Sequence, residues 1–215
     1  MAEQIRRVTV WSGRQRLAHW LVGISALLLM VTAWLIGNAP TIAQAAAEFH
    51  LLFAAVLMFA VGLRIWLGFF GTGVERFEVL LPGDNEWRGI RESLVFYLSF
   101  GRAPLPNWFA HNPLWKPVYL AWYLALVGSM VTGWLMPDNA VIGRIYLPTL
   151  HGWLANATVM LLVLHLFSVV LQDLRGRSAD ISAMINGDRY FSIDREGLVK
   201  PEIPEVSIRL DEIDK

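Results

Sequence analysis

The sequence predicts an all-α membrane protein, a four-transmembrane-helix bundle with a cytoplasmic amphipathic helix between spans 2 and 3. Three observations carry that reading. The chain has 215 residues, 55% of them hydrophobic and only 17% charged, with a mean hydropathy of +0.46, which is too apolar for a water-soluble domain of this size. Four stretches, Leu17–Ile36, Phe49–Phe70, Leu114–Met136 and Leu150–Leu171, each reach the roughly twenty apolar residues that a bilayer core requires. Basic residues, finally, are distributed unevenly about those stretches.

Arg6, Arg7, Arg14 and Arg16 precede span 1. Arg64, Arg76, Arg88, Arg91, Arg102 and Lys116 lie at or between the ends of spans 2 and 3, and the remainder follow span 4. The connections Gly37–Glu48 and Pro137–Thr149 hold only Arg144, so seventeen of the eighteen basic residues fall on one side. The positive-inside rule then places both termini and the long middle loop on the cytoplasmic side. Met1 to Arg16 is polar and basic, and the apolar run behind it is nearer a spanning helix than a signal core, so no cleavable signal peptide is expected. Within the middle loop, Glu86–Phe100 repeats Trp87, Ile90, Leu94, Val95, Tyr97 and Leu98 at helical spacing among Arg88, Arg91 and Glu92. That is the pattern of an interfacial helix lying flat on the inner leaflet. Trp20, Trp66, Trp115, Trp134 and Trp153 stand near span ends, where indoles anchor at the interface. The chain divides into a four-helix domain over residues 1–173 and a cytoplasmic polar tail over 174–215, with a short helix near Ala179–Ile185 and an extended end marked by Pro201 and Pro204.

A formal net charge of zero suggests no nucleic-acid partner, and the absence of cysteine excludes disulfides, thiolate-held iron–sulfur clusters and covalent c-type haem attachment. Metal chemistry would have to use histidine. His151 and His165 are fourteen residues apart on span 4. At about 100° and 1.5 Å per residue they share one helix face and stand about 21 Å apart along the axis. His19 opens span 1 from inside, and His50 opens span 2 from outside. Depth therefore pairs His19 with His165 near the inner face and His50 with His151 near the outer one. The orientation comes from basic residues alone, so the agreement in depth is an independent check. A lone intramembrane histidine ordinarily makes an interhelical hydrogen bond. Four that pair by depth form two bis-histidine sites, suited to two haem b groups whose six-coordinate iron carries electrons. Arg14 or Arg16 inside and Arg144 outside are candidate partners for haem propionates. Gly23, Gly62, Gly152, Ala155 and Ala157 are either room for a macrocycle or ordinary packing residues. His111 is read as a polar residue at the start of span 3, or as an aid to quinone protonation.

Several segments resemble the b-type cytochrome membrane subunit of respiratory nickel–iron hydrogenases, within the bacterial four-helix di-haem cytochromes b. They are Arg16-Leu17-Ala18-His19-Trp20, Arg64-Ile65-Trp66, Phe69-Phe70-Gly71, His111-Asn112-Pro113, Thr132-Gly133, the His151 to His165 spacing, and Ile181-Ser182-Ala183-Met184-Ile185-Asn186-Gly187. The likeness runs to about residue 192. It implies haem ligands at His19, His50, His151 and His165, a periplasmic oxidoreductase partner delivering electrons to the outer haem, and quinone as acceptor at the inner one. The Pro137–Thr149 connection is shorter than many hydrogenase subunits carry, so formate- or thiosulfate-type dehydrogenases and c-type cytochromes stay open as partners. A different class of function is a self-sufficient quinone-linked superoxide oxidase, although Arg144 alone offers little steering for an anion. A haem-free transporter using buried histidines is a third.

Overall fold

The computed structural model describes residues 4–83, 86–138, 140–175 and 180–193. A strand β1, Gln4–Thr9, leads into helix α1, Gly13–Asn38, and a 3-10 turn at Pro40–Ile42 reverses the chain into α2, Ala43–Phe70. Two further 3-10 turns and helix α3, Trp87–Leu98, form the middle connection. The second helical hairpin is α4, Trp115–Leu135, a two-rung ribbon of β2, Val141–Ile142, with β3, Ile145–Tyr146, and then α5, Leu147–Arg175. Helix α6, Asp180–Asn186, and strand β4, Asp188–Ile193, complete the described chain.

Four helices are long and apolar enough to cross a membrane. Even the shortest, α4 with 21 residues, spans about 31 Å at 1.5 Å per residue, the thickness of a hydrocarbon core. Their polarity runs opposite to that of a soluble protein: Trp34, Phe59, Phe70, Leu124, Trp134 and Trp153 are exposed on the outside, while Ser25, Thr32, Thr132, Thr158 and Ser168 are buried inside. Only lipid accepts such a surface. The fold is thus a multi-pass membrane bundle. α1 packs along α2 and α4 along α5, and the two hairpins meet through a shorter contact between α2 and α4, where Leu57, Val61 and Leu126 make a buried cluster. α1 and α5 are not among the helix pairs in extensive contact, and a cavity lies between them.

At the end that holds both described termini, polar contacts bind the connections into a cap. Ser12 caps α1 by accepting from the Gln15 amide at 3.1 Å and donates to the Glu75 carboxylate. Glu75 also takes Arg14 at 3.0 Å and the Thr72 amide at 2.8 Å, which ties the loop after α2 to the start of α1. β1 pairs antiparallel with β4, Arg7 facing Tyr190 and Thr9 facing Asp188. Asp188 accepts from Arg7 Nε at 2.7 Å and Thr9 Oγ1 at 2.6 Å. Gly187 sits at φ +95°, where a side chain would be strained, and a Cβ there would come within 2.8 Å of the Trp11 carbonyl. Its own carbonyl accepts the Val10 and Trp11 amides. Buried Arg189 holds Asp180 at 2.9 Å and the Phe109 carbonyl at 2.6 Å.

The segment expected as a polar tail therefore returns to the bundle through residue 193, with its helix at Asp180–Asn186; the extended end expected at Pro201 and Pro204 lies outside the described residues. The strand pairing went unread because β1 and β4 are each too short and too polar to signal alone. In α3, Phe96 and Ser93 are buried, whereas Trp87, Leu94, Val95 and Leu98 stay exposed. Asn112 at 2.8 Å and Gln172 both donate to the Tyr97 hydroxyl, which moors this helix to the start of α4 and the end of α5.

Candidate functional site

His19 and His165 face each other from α1 and α5 with ring centroids 6.1 Å apart. Two imidazoles that each place a nitrogen about 2 Å from one shared metal atom need centroids roughly 6 Å apart. Trp115, Tyr119 and Trp122 of α4 put ring edges around His165 at 5.6, 6.1 and 5.9 Å, and the buried His165 Nδ1 has no hydrogen-bond partner. Such a nitrogen needs a partner that the described protein atoms do not supply. The rings border a cavity of about 370 Å³ whose other walls include Val22, Gly23, Leu27, Leu126, Leu162 and Val169. A Cβ built on Gly23, one turn after His19, meets nothing within 4 Å. A flat, largely apolar macrocycle fits this donor set and this lining.

His50 and His151 occupy the opposite end, and each is held by a threonine of its own hairpin. Thr32 Oγ1 lies 2.8 Å from His50 Nδ1, and Thr132 Oγ1 lies 3.0 Å from His151 Nδ1. Both hydroxyls already donate to carbonyls one turn back, Thr32 to Leu28 at 2.9 Å and Thr132 to Gly128 at 2.8 Å. With its single hydrogen committed, each hydroxyl can only accept, so each Nδ1 carries the proton. The Ser129 carbonyl, 3.0 Å from His151 Nδ1, requires the same tautomer. The Nε2 lone pair of both residues is left free for a metal. Among the described residues no cluster of three or more histidine, cysteine or carboxylate side chains forms a metal site.

Sequence reasoning missed the polar end of the first cavity. Arg64 counted only as a basic residue at a span end, yet it is 4% exposed and lines the cavity with His111 and Gln15. It donates to the Glu75 carbonyl at 2.9 Å and lies over the Phe77 and Tyr123 rings at 4.9 and 5.6 Å. Gln15 was legible, since it precedes His19 by four residues and shares its helix face. His111, expected at the start of span 3, packs between Trp11 and Tyr119. Burial, with Arg64, Lys116 and Arg189 adding to it, pulls its pKa down to about 3, so it is neutral at pH 7. Arg14 is committed to Glu75 and Arg16 to the Ile185 carbonyl.

Four lipid-facing helices with two imidazole pairs stacked along their interior define a membrane protein of the helical cytochrome class. The family model for prokaryotic cytochrome b561 matches residues 10–187, and the chain belongs to that family. Membership carries b-type haem. The chain is 27% identical over 214 residues to a probable Ni/Fe-hydrogenase B-type cytochrome subunit of Bradyrhizobium diazoefficiens, covering 86% of each chain. It is 25% identical over 228 residues to the Rhodobacter capsulatus protein described in the same words, covering 90% of this chain and 86% of that one. A probable Ni/Fe-hydrogenase 1 B-type cytochrome subunit of Escherichia coli K12 is 23% identical over 214 residues, with 84% and 89% covered. No solved structure matches the chain.

Proposed function

We propose that this chain relays electrons across the bacterial inner membrane through two haem b groups, one held by His19 and His165 and the other by His50 and His151. The donor is a hydrogenase-type oxidoreductase docked at the end bearing β2 and β3, and the acceptor is membrane quinone at the end bearing the termini. The observation that carries the reading is the 6.1 Å separation of the His19 and His165 rings across a cavity lined by apolar side chains. The names of the relatives support the partner, and the bias of basic residues supports the orientation, with the termini and α3 in the cytoplasm.

Haem held between two neutral imidazoles supplies a one-electron carrier whose geometry changes little between ferric and ferrous states. The protein's part is positional. α5 carries His151 and His165 on one face about 21 Å apart along its axis, which sets the two sites at different depths. Thr32 and Thr132 lock the tautomer and ring orientation of the outer pair, and the Trp115, Tyr119 and Trp122 edges fix the His165 ring. The apolar walls of the cavity keep water from His19 and His165, and the exposed α3 face rests on the inner leaflet.

Haem quantification with a redox titration of the purified chain tests the proposal. Two b-type haems per polypeptide with separable potentials are expected, both reducible by a copurifying hydrogenase under hydrogen. A single haem, or none, would reject it.

A further inference from the structure

We propose that Arg64, with Gln15 and His111, forms a carboxylate-binding site at the termini end of the cavity between α1 and α5, and that it takes a propionate of the macrocycle held by His19 and His165. This rests on the haem reading given above.

The argument begins with charge. Arg64 is 4% exposed, and among the described residues no carboxylate pairs with it. A guanidinium removed from water costs several kcal/mol unless an anion and hydrogen bonds compensate. It donates to one carbonyl and lies over the Phe77 and Tyr123 rings with the Tyr123 hydroxyl as a further partner, none of which supplies a full negative charge. Of the described acids near the cavity, the Glu75 carboxylate is already taken by Ser12, Arg14 and the Thr72 amide, and Asp180 is paired with Arg189. A bound ligand must then bring the anion.

The surroundings point to the same chemistry. Gln15, 5% exposed, leaves its Oε1 without a partner, and His111 leaves its Nδ1 without one. Rotating the Gln15 amide presents an N–H donor instead, and neutral His111 offers one donor in either tautomer. Three donors from three parts of the chain thus line one cavity, and Gln15 stands one turn before His19 on the same helix face. Of the basic residues beside His19 in sequence, Arg14 is paired with Glu75, and Arg16 donates to the Ile185 carbonyl and does not line the cavity. Bidentate recognition of a carboxylate is what a guanidinium does best, and a lysine at the same place would supply only a point charge.

The cation also acts on the iron. A positive charge beside the ring favours the reduced, less positive state, so removing it lowers the potential. Redox titration of the purified chain is therefore compared with Arg64→Gln and Arg64→Lys. Arg64→Gln should reduce the ratio of reduced to oxidised inner haem at a fixed poise about tenfold, a shift of about 59 mV for one electron, and leave the outer haem unmoved. Arg64→Lys should restore most of the ratio, which a purely structural role for the guanidinium would not do. An unmoved inner potential in Arg64→Gln, or equal shifts in both variants, overturns the proposal.

Reconstitution gives an arm that needs no Arg64 variant. In His151→Ala, which keeps the inner site alone, haem dimethyl ester should bind at least tenfold more weakly than haem. Equal affinity, as expected if a lipid phosphate occupies the polar end, overturns the proposal. His165→Ala separates this failure from that of the underlying reading. If it keeps both haem spectra, the ligand assignment fails and the proposal falls with it; if it loses one haem while Arg64→Gln moves nothing, the proposal alone falls.

Discussion

His50 Nδ1 lies 2.8 Å from the Thr32 hydroxyl, and the second hairpin repeats the contact between Thr132 and His151 at 3.0 Å. In each case a threonine late in one helix back-bonds to its own helix and orients an imidazole at the start of the next. The two antiparallel hairpins thus present the outer pair with the same nitrogen exposed. Thr32→Val and Thr132→Val keep the shape and remove the acceptor. Each should weaken haem binding at the outer site about 10–100-fold, the range for losing a partner of a metal-bound histidine. Titration of haem into the depleted chain measures it, and equal losses at both sites would reject the assignment.

Alanine substitution of the four histidines should sort into two classes. His19→Ala and His165→Ala should each remove the same haem, and His50→Ala and His151→Ala the other, as read from which potential disappears in a redox titration. A variant of α1 that removes the same haem as a variant at the start of α2 would break the pairing.

Gly23 has open space where its Cβ would stand, on the wall of the cavity beside His19. Gly23→Leu should fill that space and lower inner-haem occupancy severalfold while the helix remains folded. Gly62→Leu is the control, since open space at that position does not border the same cavity. Matching losses in the two variants, read from haem content per chain, would deny the cavity its role.

Gly68 lets α2 meet Phe77 closely, for a Cβ there would come 2.2 Å from the ring. Phe77 lies beneath Arg64. Gly68→Ala should destabilise the chain by about 1–3 kcal/mol through overpacking, read as a lower Tm in detergent. An unchanged Tm would mean that the ring moves aside at no cost.

The cap should loosen in acid. Hydrogen bonds from Thr9 and Arg7 outweigh burial and hold the Asp188 carboxyl below its ordinary range. At Glu75, burial alone would raise the pKa, but the Ser12 and Thr72 hydrogen bonds and Arg14 outweigh it and lower it. Both folded values lie below the unfolded ones, so the stabilisation is complete above about pH 4 and is lost as pH falls through the folded values. Hydrogen exchange at the Val10 and Trp11 amides, which bond to the Gly187 carbonyl, should approach its intrinsic rate below that pH. In Asp188→Asn it should be fast already at neutral pH; slow exchange in that variant would show that the ion pair does not hold the strand.

Much of the architecture was legible because its causes are local or additive. A run of apolar residues long enough for a bilayer is a property of the run, and helical pitch turns the spacing of His151 and His165 into direction and depth. The alternation of four spans puts the starts of spans 2 and 4 at the same end and the start of span 1 at the other. These put His19 at the depth of His165, and the structure brings their rings to 6.1 Å. Thr32 was not legible, since one threonine in an apolar helix has no signature until the helix beside it is known. The burial of Arg64 was not legible, because a basic residue at a span end enters the sequence reading only as one more charge in the bias that sets orientation.

The sequence by itself determined four membrane-crossing helices, their order and the levels at which four imidazoles stand. The tertiary structure alone decided that β1 and β4 join across some 180 residues of chain, that Glu75 takes Arg14 while no described acid pairs with Arg64, and that the gap between hairpins lies between α1 and α5. The physical reason is range: hydropathy and pitch act within a single helix, whereas ion pairs, strand pairing and cavities depend on which surfaces meet, and that is set only when all the helices pack together.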